Sequence, residues 1–490
     1  MKKIFATLIL GTAVTFHVFA SEPVRTAYFL DGYDFGHRLN PAIQSPRSYI
    51  ALPVLGSTSL GIRSNLGIST FLYPSGDGRL VTFMNGSVSG EEFLKRLNKN
   101  NNVNADFSTG LLSLGFRGER GFTSVEANFK GSIGANLPRD LFAFVKNVGA
   151  AENYDISHIG MRGNAYIELA VGHSHKIGDR FTAGVKVKAL FGGMDGRMDI
   201  ENMKIRMAAD EWSITSGGGS IRLSAPDGIQ VPTYSESGNT PPAGGNGDML
   251  DFSAFEFDFD PVEAFRRNGI KSFLGGFGAA LDLGVSYELI DGLTLSASVL
   301  DLGFIKWKTA LSARPSDKMW SFKGFDDISL DKDSENDLQQ QFDHLFDDFS
   351  DMLMMQRNAD ERDGYVSALA ATVSVGAEYE LPFWRDLSVG GLFTSKMDGA
   401  YSWNEGRASL NLALGNWFGL SGSYALSTFG SGFGAAANLH SRIFSLYIGA
   451  DSILARFTKP VIGGVVGLPV DHLNFGVHFG LVINLSRYKG

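Results

Sequence analysis

Apolar and polar residues alternate with a period of two along many segments of this chain, each about ten residues long. The segment near residue 480 shows the alternation best, because its two faces differ throughout. One face carries Leu473, Phe475, Val477, Phe479, Leu481, Ile483 and Leu485. The other face carries Asn474, Gly476, His478, Gly480 and Asn484. Such a strand suits a barrel wall whose apolar face meets lipid and whose polar face meets a lumen.

Segments of this kind recur often enough to predict an all-β fold, a transmembrane antiparallel β-barrel of about fourteen strands. The candidate strands lie near 50–71, 104–117, 121–134, 162–175, 180–193, 277–290, 292–306, 367–381, 386–396, 407–415, 417–427, 432–440, 444–452 and 473–485. The connections after the second, fourth and each later even-numbered strand are short. The largest of the other connections are insertions near 194–276 and 307–366.

The lengths of the connections predict how the barrel is oriented. Bacterial barrels have short periplasmic turns and longer extracellular loops. We therefore expect both termini in the periplasm, and long extracellular loops that contain short helices. The whole stretch 50–490 is predicted to form the barrel with its insertions.

Aromatic residues fall near the ends of the predicted strands, where amphipathic rings would meet the membrane interfaces. Those near short turns are Tyr287, Tyr379, Phe383, Trp384, Trp417, Phe418 and Phe444. Trp307 and Trp403 lie near long loops. The sequence therefore predicts one aromatic girdle at each end of the barrel.

The first residues have the pattern of a secretory signal peptide. Lys2 and Lys3 precede an apolar run over 4–14, and residues 18–20 end in Ala20, a small residue suited to cleavage. We expect the signal peptide to occupy 1–20 and the mature chain to start at Ser21. Beyond it there is no apolar run of about 18 residues, the length that a membrane helix needs.

Composition narrows the class of protein further. The chain has 60 Gly, only 19% charged residues and no Cys. The missing Cys excludes disulfides and lipid attachment through a cysteine.

Charged residues occupy the predicted inward face of the third, fourth and fifth strands. They are Glu126, Lys130, Glu168, Lys186 and Lys188. Opposite charges on adjacent strands can pair across a wet interior. We interpret them as structural ion pairs in a filled lumen, in preference to an ion path.

The alternation of the seventh strand changes after Val299. Leu300, Leu302 and Phe304 then occupy the otherwise inward register. One explanation is a β-bulge, which inserts a residue and reverses the facing of the strand. The other is an apolar ligand-binding pocket lined by these three side chains in the upper barrel.

The connection after Trp307 is strongly acidic. Residues 326–351 contain ten acidic residues and a single Lys, enough to account for the net charge of -9 of the whole chain. Apolar residues recur at helical spacing between Leu338 and Leu353, which predicts an amphipathic helix packed over the barrel mouth. Nucleic acid is excluded as a partner for such a surface.

The residues indicate no catalytic, metal or cofactor site. No Ser, His and acid arrangement or phosphate-binding loop stands out, and the acidic loops lack the spacing of a calcium loop. We therefore predict that the protein is not an enzyme and has no cofactor and no metal site; calcium binding by the acidic loops is the alternative that the residues leave open.

Three stretches carry a family resemblance. They are YFLDGYDFGHRLNPAIQSPRSYIALPVLG at 28–56, SNLGISTFLYP at 64–74 and LTLSASVLDLGFIKW at 293–307. Through them the chain resembles an uncharacterised family of outer-membrane barrels of Bacteroidota-type bacteria. More distantly, through its strand number and the element Asn40-Pro41-Ala42, it is similar to fourteen-stranded barrels of the FadL and PorV type.

The resemblance implies that the segment before the first strand, 21–49, enters the lumen as a plug. Its central residues would be Arg38, Leu39, Asn40, Pro41 and Ala42. It also implies uptake or binding of a small hydrophobic compound, as in FadL-type barrels. The alternative is a non-transporting scaffold or surface-attachment component that binds another envelope protein. Outer-membrane lipid is the expected partner in either case.

Overall fold

The computed structural model describes most of the chain. The described residues are 24–75, 79–146, 152–208, 211–225, 229–241, 246–251, 254, 256–257, 266, 269, 274–308, 311–315, 319–322, 355–358, 364–453 and 472–485. The signal peptide at 1–20 and the amphipathic helix expected at 338–353 lie outside the described residues.

Fourteen strands form a closed antiparallel barrel, in which the first strand pairs with both the second and the last. They are β1 (Tyr49–Ala51 and Thr58–Gly67), β2 (Asn100–Arg117), β3 (Gly121–Pro138), β4 (Ile159–Ile177), β5 (Phe181–Met207), β6 (Gly276–Ile290), β7 (Leu293–Trp307), β8 (Tyr365–Ala368 and Ala371–Leu381), β9 (Trp384–Met397), β10 (Trp403–Leu414), β11 (Phe418–Ser427), β12 (Gly430–His440), β13 (Phe444–Ile453) and β14 (His472–Asn484). The predicted fold class and strand number are confirmed.

The alternation places apolar side chains outside and polar side chains inside. On β10, Glu405 and Arg407 are buried in the lumen while Leu410 is exposed on the outer surface. Val187 on β5 and Phe393 on β9 are outward and exposed in the same way. An outer face of exposed aliphatic and aromatic residues is stable against lipid, so this is a transmembrane barrel.

The connections differ in length at the two ends of the barrel. The turns after β2, β4, β6, β8, β10 and β12 span two or three residues each, and we call this the turn end. The opposite, loop end carries the long insertions. There β5 continues to Met207, well past the expected start of the insertion at 194, and pairs with a further strand, Trp212–Ser224.

Short elements build up the loop end around three apolar clusters. The additional strands are Leu72–Pro74, Leu80–Thr82, Asn153–Asp155, Ile229–Gln230, Glu256–Phe257, Leu311–Pro315, Met319–Phe322 and Met355–Arg357. The α-helices at this end are Ile68–Phe71, Gly90–Lys95, Arg139–Lys146 and Tyr234–Ser237, and the 3-10 helix is Gly399–Tyr401. Two further 3-10 helices, Arg25–Ala27 and Gly36–Arg38, precede β1. Within the described ranges, no helix has the length and apolar character needed to cross a membrane.

A β-bulge reverses the facing of β7 halfway along the strand. Leu283 pairs with Val299 but Leu281 pairs with Leu302, and Asp301 takes a positive φ of 57°. Beyond the bulge the odd-numbered side chains point into the lumen, so Trp307 is buried there, 1% exposed. Trp403, at the loop end of β10, is also buried. The expected aromatic girdle at the loop end is therefore wrong for these two residues.

Two arginine substitutions test the position of the membrane. Val187→Arg puts a charge on the outer face of β5, six residues from the turn end of the strand, where the parent side chain is 59% exposed. We expect it to lower the free energy of unfolding by about 2–4 kcal/mol. Phe383→Arg lies in a turn, where the parent side chain is 81% exposed, and should cost about 0–1 kcal/mol. Urea unfolding in phospholipid vesicles measures both, and equal losses would contradict this membrane position.

Candidate functional site: the plugged lumen

The segment 24–48, which we call the plug, lies inside the barrel. Tyr33, Phe35 and Leu39 of the plug share an apolar cluster with inward residues of the wall. The rings of Tyr33 and Tyr447 approach to 4.3 Å between centroids. The plug therefore packs against the wall as part of one core.

Ion pairs attach the start of the plug to β10 and β13. The Arg25 Nε donates a 2.8 Å hydrogen bond to Glu405, and Arg407 of the wall pairs with Asp451 at 3.0 Å. The carboxylate of Asp451 also accepts the backbone N–H groups of Arg25 and Thr26, at 2.8 and 3.0 Å. These four charged side chains are buried, and their charges cancel, which is the condition under which burial is tolerated.

A second ionic contact joins the plug to β3 and β5. Glu126 accepts hydrogen bonds from Arg38 at 2.6 Å and from Lys186 at 2.7 Å. Burial, with the positive charge of Lys186 beside it, lowers the pKa of His37 to about 3. His37 is therefore neutral, so Nδ1 accepts from Lys186 at 3.2 Å and Nε2 donates to Tyr49 at 2.8 Å.

The Asn40-Pro41-Ala42 element lies against the wall near the turn end. The Asn40 side-chain amide donates to the carbonyls of Val285 and Ala297, both at 3.3 Å. The wall can approach so closely because it has glycines there. A Cβ on Gly284 would lie 2.0 Å from the Asn40 Oδ1, and one on Gly184 would lie 2.2 Å from the Pro41 carbonyl oxygen.

Asp34 is a buried carboxyl group near the turn end of the plug. It accepts a 2.8 Å hydrogen bond from Ser45, and its Oδ2 lies 4.0 Å from the Nδ1 of His440. Burial raises the pKa of Asp34 to about 6, against the opposing effects of Ser45 and Arg47.

On the loop side of the plug lies a cavity of about 170 Å³. Plug residues form its floor, and the remaining lining comes from the wall. The charged lining residues are Arg25, Arg38, Asp106, Glu126, Lys130, Arg162, Glu168, Lys186, Lys188, Arg197, Asp282, Asp301, Lys396 and Asp398. The apolar and aromatic lining residues include Tyr28, Leu39, Tyr166, Leu300, Ile305, Trp307 and Leu369.

The expected inward charges meet in this lining. Lys130 pairs with Glu168 at 2.8 Å, and Lys188 pairs with Asp282 at 2.7 Å and Asp301 at 2.5 Å. The inward position of Asp282 could be predicted from the sequence, since this residue lies in the inward register of β6. The inward position of Asp301 could not, because only the bulge turns this side chain inward.

The expected apolar pocket of Leu300, Leu302 and Phe304 is wrong. Leu302 is 54% exposed and Phe304 is 50% exposed, both on the outer face of the barrel. Leu300 alone lines the cavity. The bulge accounts for the difference, because it moves the even-numbered residues after Asp301 to the lipid-facing side.

Among the described residues, no group of three or more His, Asp or Glu side chains is arranged to hold a metal.

Residues 41–451 match a family of unknown function, DUF5723. The chain belongs to this family. The resemblance to an uncharacterised barrel family is thereby confirmed. No curated protein matches the chain.

Among solved structures, the chain is similar to the toluene transporter TbuX of Ralstonia pickettii, with a TM-score of 0.42, 7% identity, and coverage of 96% of this chain and 99% of that one. It is also similar to the toluene transporter TodX of P. putida, with a TM-score of 0.38, 8% identity and 96% coverage of both chains. A third similar structure is the CymD monoaromatic hydrocarbon channel, with a TM-score of 0.39, 8% identity, and coverage of 97% of this chain and 100% of that one.

Glu126→Gln tests the ionic contact between plug and wall. The variant leaves Arg38 and Lys186 buried without their carboxylate, so we expect a loss of about 3–5 kcal/mol in the free energy of unfolding. The matched control is Asp291→Asn, which removes an exposed ion pair with Arg385 at the turn end and should cost less than about 1 kcal/mol. Equal losses in urea unfolding would show that the contact with Glu126 does not hold the plug.

Asp34→Asn tests the buried carboxyl group by its pH dependence. Because folding raises the pKa of Asp34 from 3.8 to about 6, the folded state binds the proton more tightly. The stability that this group contributes is complete below about pH 4 and is lost as the pH rises through about 6. The stability of the variant relative to the parent should therefore rise by up to about 3 kcal/mol between about pH 4 and 7. Parallel pH profiles of urea unfolding would contradict the burial of Asp34.

Proposed function

We propose that this protein is an outer-membrane barrel that captures a small, partly hydrophobic compound in the cavity above its plug, as the first step of uptake. The signal-peptide pattern at 1–20 supports placement in the envelope. The short turns at one end support an orientation with that end, and both termini, in the periplasm.

The cavity is the observation that carries this proposal. Its volume of about 170 Å³ is close to the roughly 150 Å³ of an engineered cavity that holds benzene. Leu39, Leu300, Ile305 and Trp307 offer apolar surface, while lysine and carboxylate pairs line the rest. A compound of about one ring that carries a polar or anionic group fits such a lining better than a purely apolar compound does.

The plug determines what uptake requires. Arg38 and Leu39 form part of the cavity floor and are tied to the wall below it. A captured compound therefore passes toward the turn end after the plug shifts. The contacts of the plug include ion pairs and hydrogen bonds, which water can replace during such a movement.

Filling the cavity tests the proposal. Leu300→Trp adds volume inside the cavity, and we expect benzoate or benzyl alcohol to bind at least roughly tenfold more weakly, a loss of about 1.4 kcal/mol. Leu302→Trp is the matched control, because this neighbour faces lipid and its variant should bind as the parent does. Calorimetric titration of the purified protein measures the affinities. Absence of binding to the parent, or equal weakening by both variants, would contradict the proposal.

A scaffold that binds another envelope protein is the second candidate. It is favoured by the loop end, where three apolar clusters hold the described parts of the loops in an ordered surface. Native mass spectrometry of protein extracted from its own membrane separates the two functions. A bound small compound supports capture, whereas a bound protein that is lost on deletion of 308–364 supports the scaffold.

A further inference from the structure

The short connection between β9 and β10, residues 398–402, reaches across the mouth of the lumen; we call it the strap. Its partners are on β2, β3 and β4, on the far side of the barrel. Going round the barrel, five strands separate β3 from β9 in one direction, and six separate β3 from β10 in the other. The strap therefore connects nearly opposite walls.

Arg162 on β4 holds the strap. Its guanidinium group forms a two-pronged ion pair with the carboxylate of Asp398. The same group stacks on the Tyr401 ring, with its central carbon 3.9 Å from the ring centroid. On β2, the Asn102 side-chain amide donates to the Ala400 carbonyl at 2.9 Å.

The opposite wall is shaped to receive the Tyr401 ring. A Cβ on Gly134 of β3 would lie 2.9 Å from a ring carbon of Tyr401, and one on Gly160 of β4 would lie 3.8 Å from its hydroxyl oxygen. The ring thus occupies space that these glycines leave open. A larger side chain at 134 would displace the ring, and it would also press on the Asn104 oxygen that accepts from Arg162.

The strap is a compact turn in its own right. The backbone N–H of Asp398 donates to the Ser402 Oγ at 2.8 Å, and that hydroxyl donates to the Gly399 carbonyl at 2.8 Å. Gly399 has a positive φ of 57°, which suits glycine. These internal bonds do not involve the opposite wall, so they can persist when the contacts with Arg162 break.

The strap also borders the cavity, because Arg162 and Asp398 belong to the cavity lining. Within the described part of the chain, none of the apolar clusters includes a strap residue. The plug below is anchored by an apolar core as well as by ions, whereas the strap is held by polar contacts and one stacked ring. Breaking the contacts of the strap would therefore leave the apolar contacts of the plug intact.

We propose that the strap is the outer gate of the lumen cavity, closed by Arg162 on Asp398 and Tyr401 and opened when these contacts break. The class of compound that enters through the gate rests on the proposed function, whereas the opening of the gate is independent of it. The gate can therefore be tested without a ligand.

Thiol accessibility tests the gate directly. Because the chain has no Cys, Leu300→Cys places a single thiol in the cavity. In the full-length protein in lipid nanodiscs, a small charged methanethiosulfonate should label it slowly. Adding Arg162→Gln, Asp398→Asn or Gly134→Leu should each raise the rate roughly tenfold or more, by increasing the open population.

Two controls separate gate opening from a general loss of structure. Phe383→Cys, exposed at the turn end, should be labelled at the same rate in every background. The swap of Arg162→Asp with Asp398→Arg should restore slow labelling of Cys at 300, because the ion pair is rebuilt with its charges exchanged. Equal labelling rates in the parent and in the variants Arg162→Gln, Asp398→Asn and Gly134→Leu would overturn the proposal.

Cross-linking connects the gate to ligand entry. In a protein with Arg162→Cys and Asp398→Cys, a reducible bifunctional thiol reagent should hold the strap closed and slow the association of benzoate roughly tenfold or more. Reduction of the cross-link should restore the original association rate. The control pair, Arg385→Cys and Asp291→Cys, bridges an exposed ion pair at the turn end and should leave association unchanged. If benzoate fails to bind the parent, the proposed ligand class is wrong and thiol labelling still decides the gate. If benzoate binds but the cross-link does not slow it, the gate is wrong.

Discussion

Ion pairs between the plug and the barrel wall are the interactions on which the interior of this protein depends. A fourteen-stranded barrel encloses more space than inward side chains alone can fill. The alternation of the strands makes its inner wall polar, and carboxylates such as Glu126, Glu405 and Asp451 are buried there. Buried charge is stable only when it is paired. Arg25 and Arg38 of the plug supply part of the balancing positive charge, so the carboxylates of the wall are fully paired only when the plug is in place.

The same charges give the cavity its character. Arg38, which pairs with Glu126, also donates to the Asn128 side chain, and Asn128 in turn donates to Glu168. This carboxylate pairs with Lys130 and Lys188 in the cavity lining. Apolar surface enters on the side of Leu300 and Trp307. The site is thus bounded by groups that also hold the plug, and a bound anion would compete with contacts that keep the lumen closed. The proposed capture and the closure of the lumen would therefore depend on one set of side chains.

The sequence was sufficient for the barrel because alternation is a local property, repeated in every strand. It was insufficient wherever one residue changes the facing of a strand. The bulge at Asp301 moved Leu302 and Phe304 to the lipid face and Trp307 into the lumen, and both errors on β7 follow from it. A bulge was one of the two explanations open from the pattern, but nothing local decided between them.

Contacts between distant parts of the chain were beyond the sequence for a different reason. The plug was implied by a family resemblance, whereas its pairing of Arg25 with Glu405 joins residues 380 positions apart. The strap gave no signal, since Arg162 meets Asp398 only when the barrel closes. Gly134 and Gly284 look alike among 60 glycines, although one receives the ring of Tyr401 and the other receives Asn40.

Single-channel conductance in planar lipid bilayers tests most directly whether the plug, held by its ion pairs, closes the lumen. The parent protein should show no steady current, and the double variant Arg25→Ala with Arg38→Ala should show frequent or sustained openings. A steady, porin-like current through the parent, or an equally silent double variant, would contradict this account.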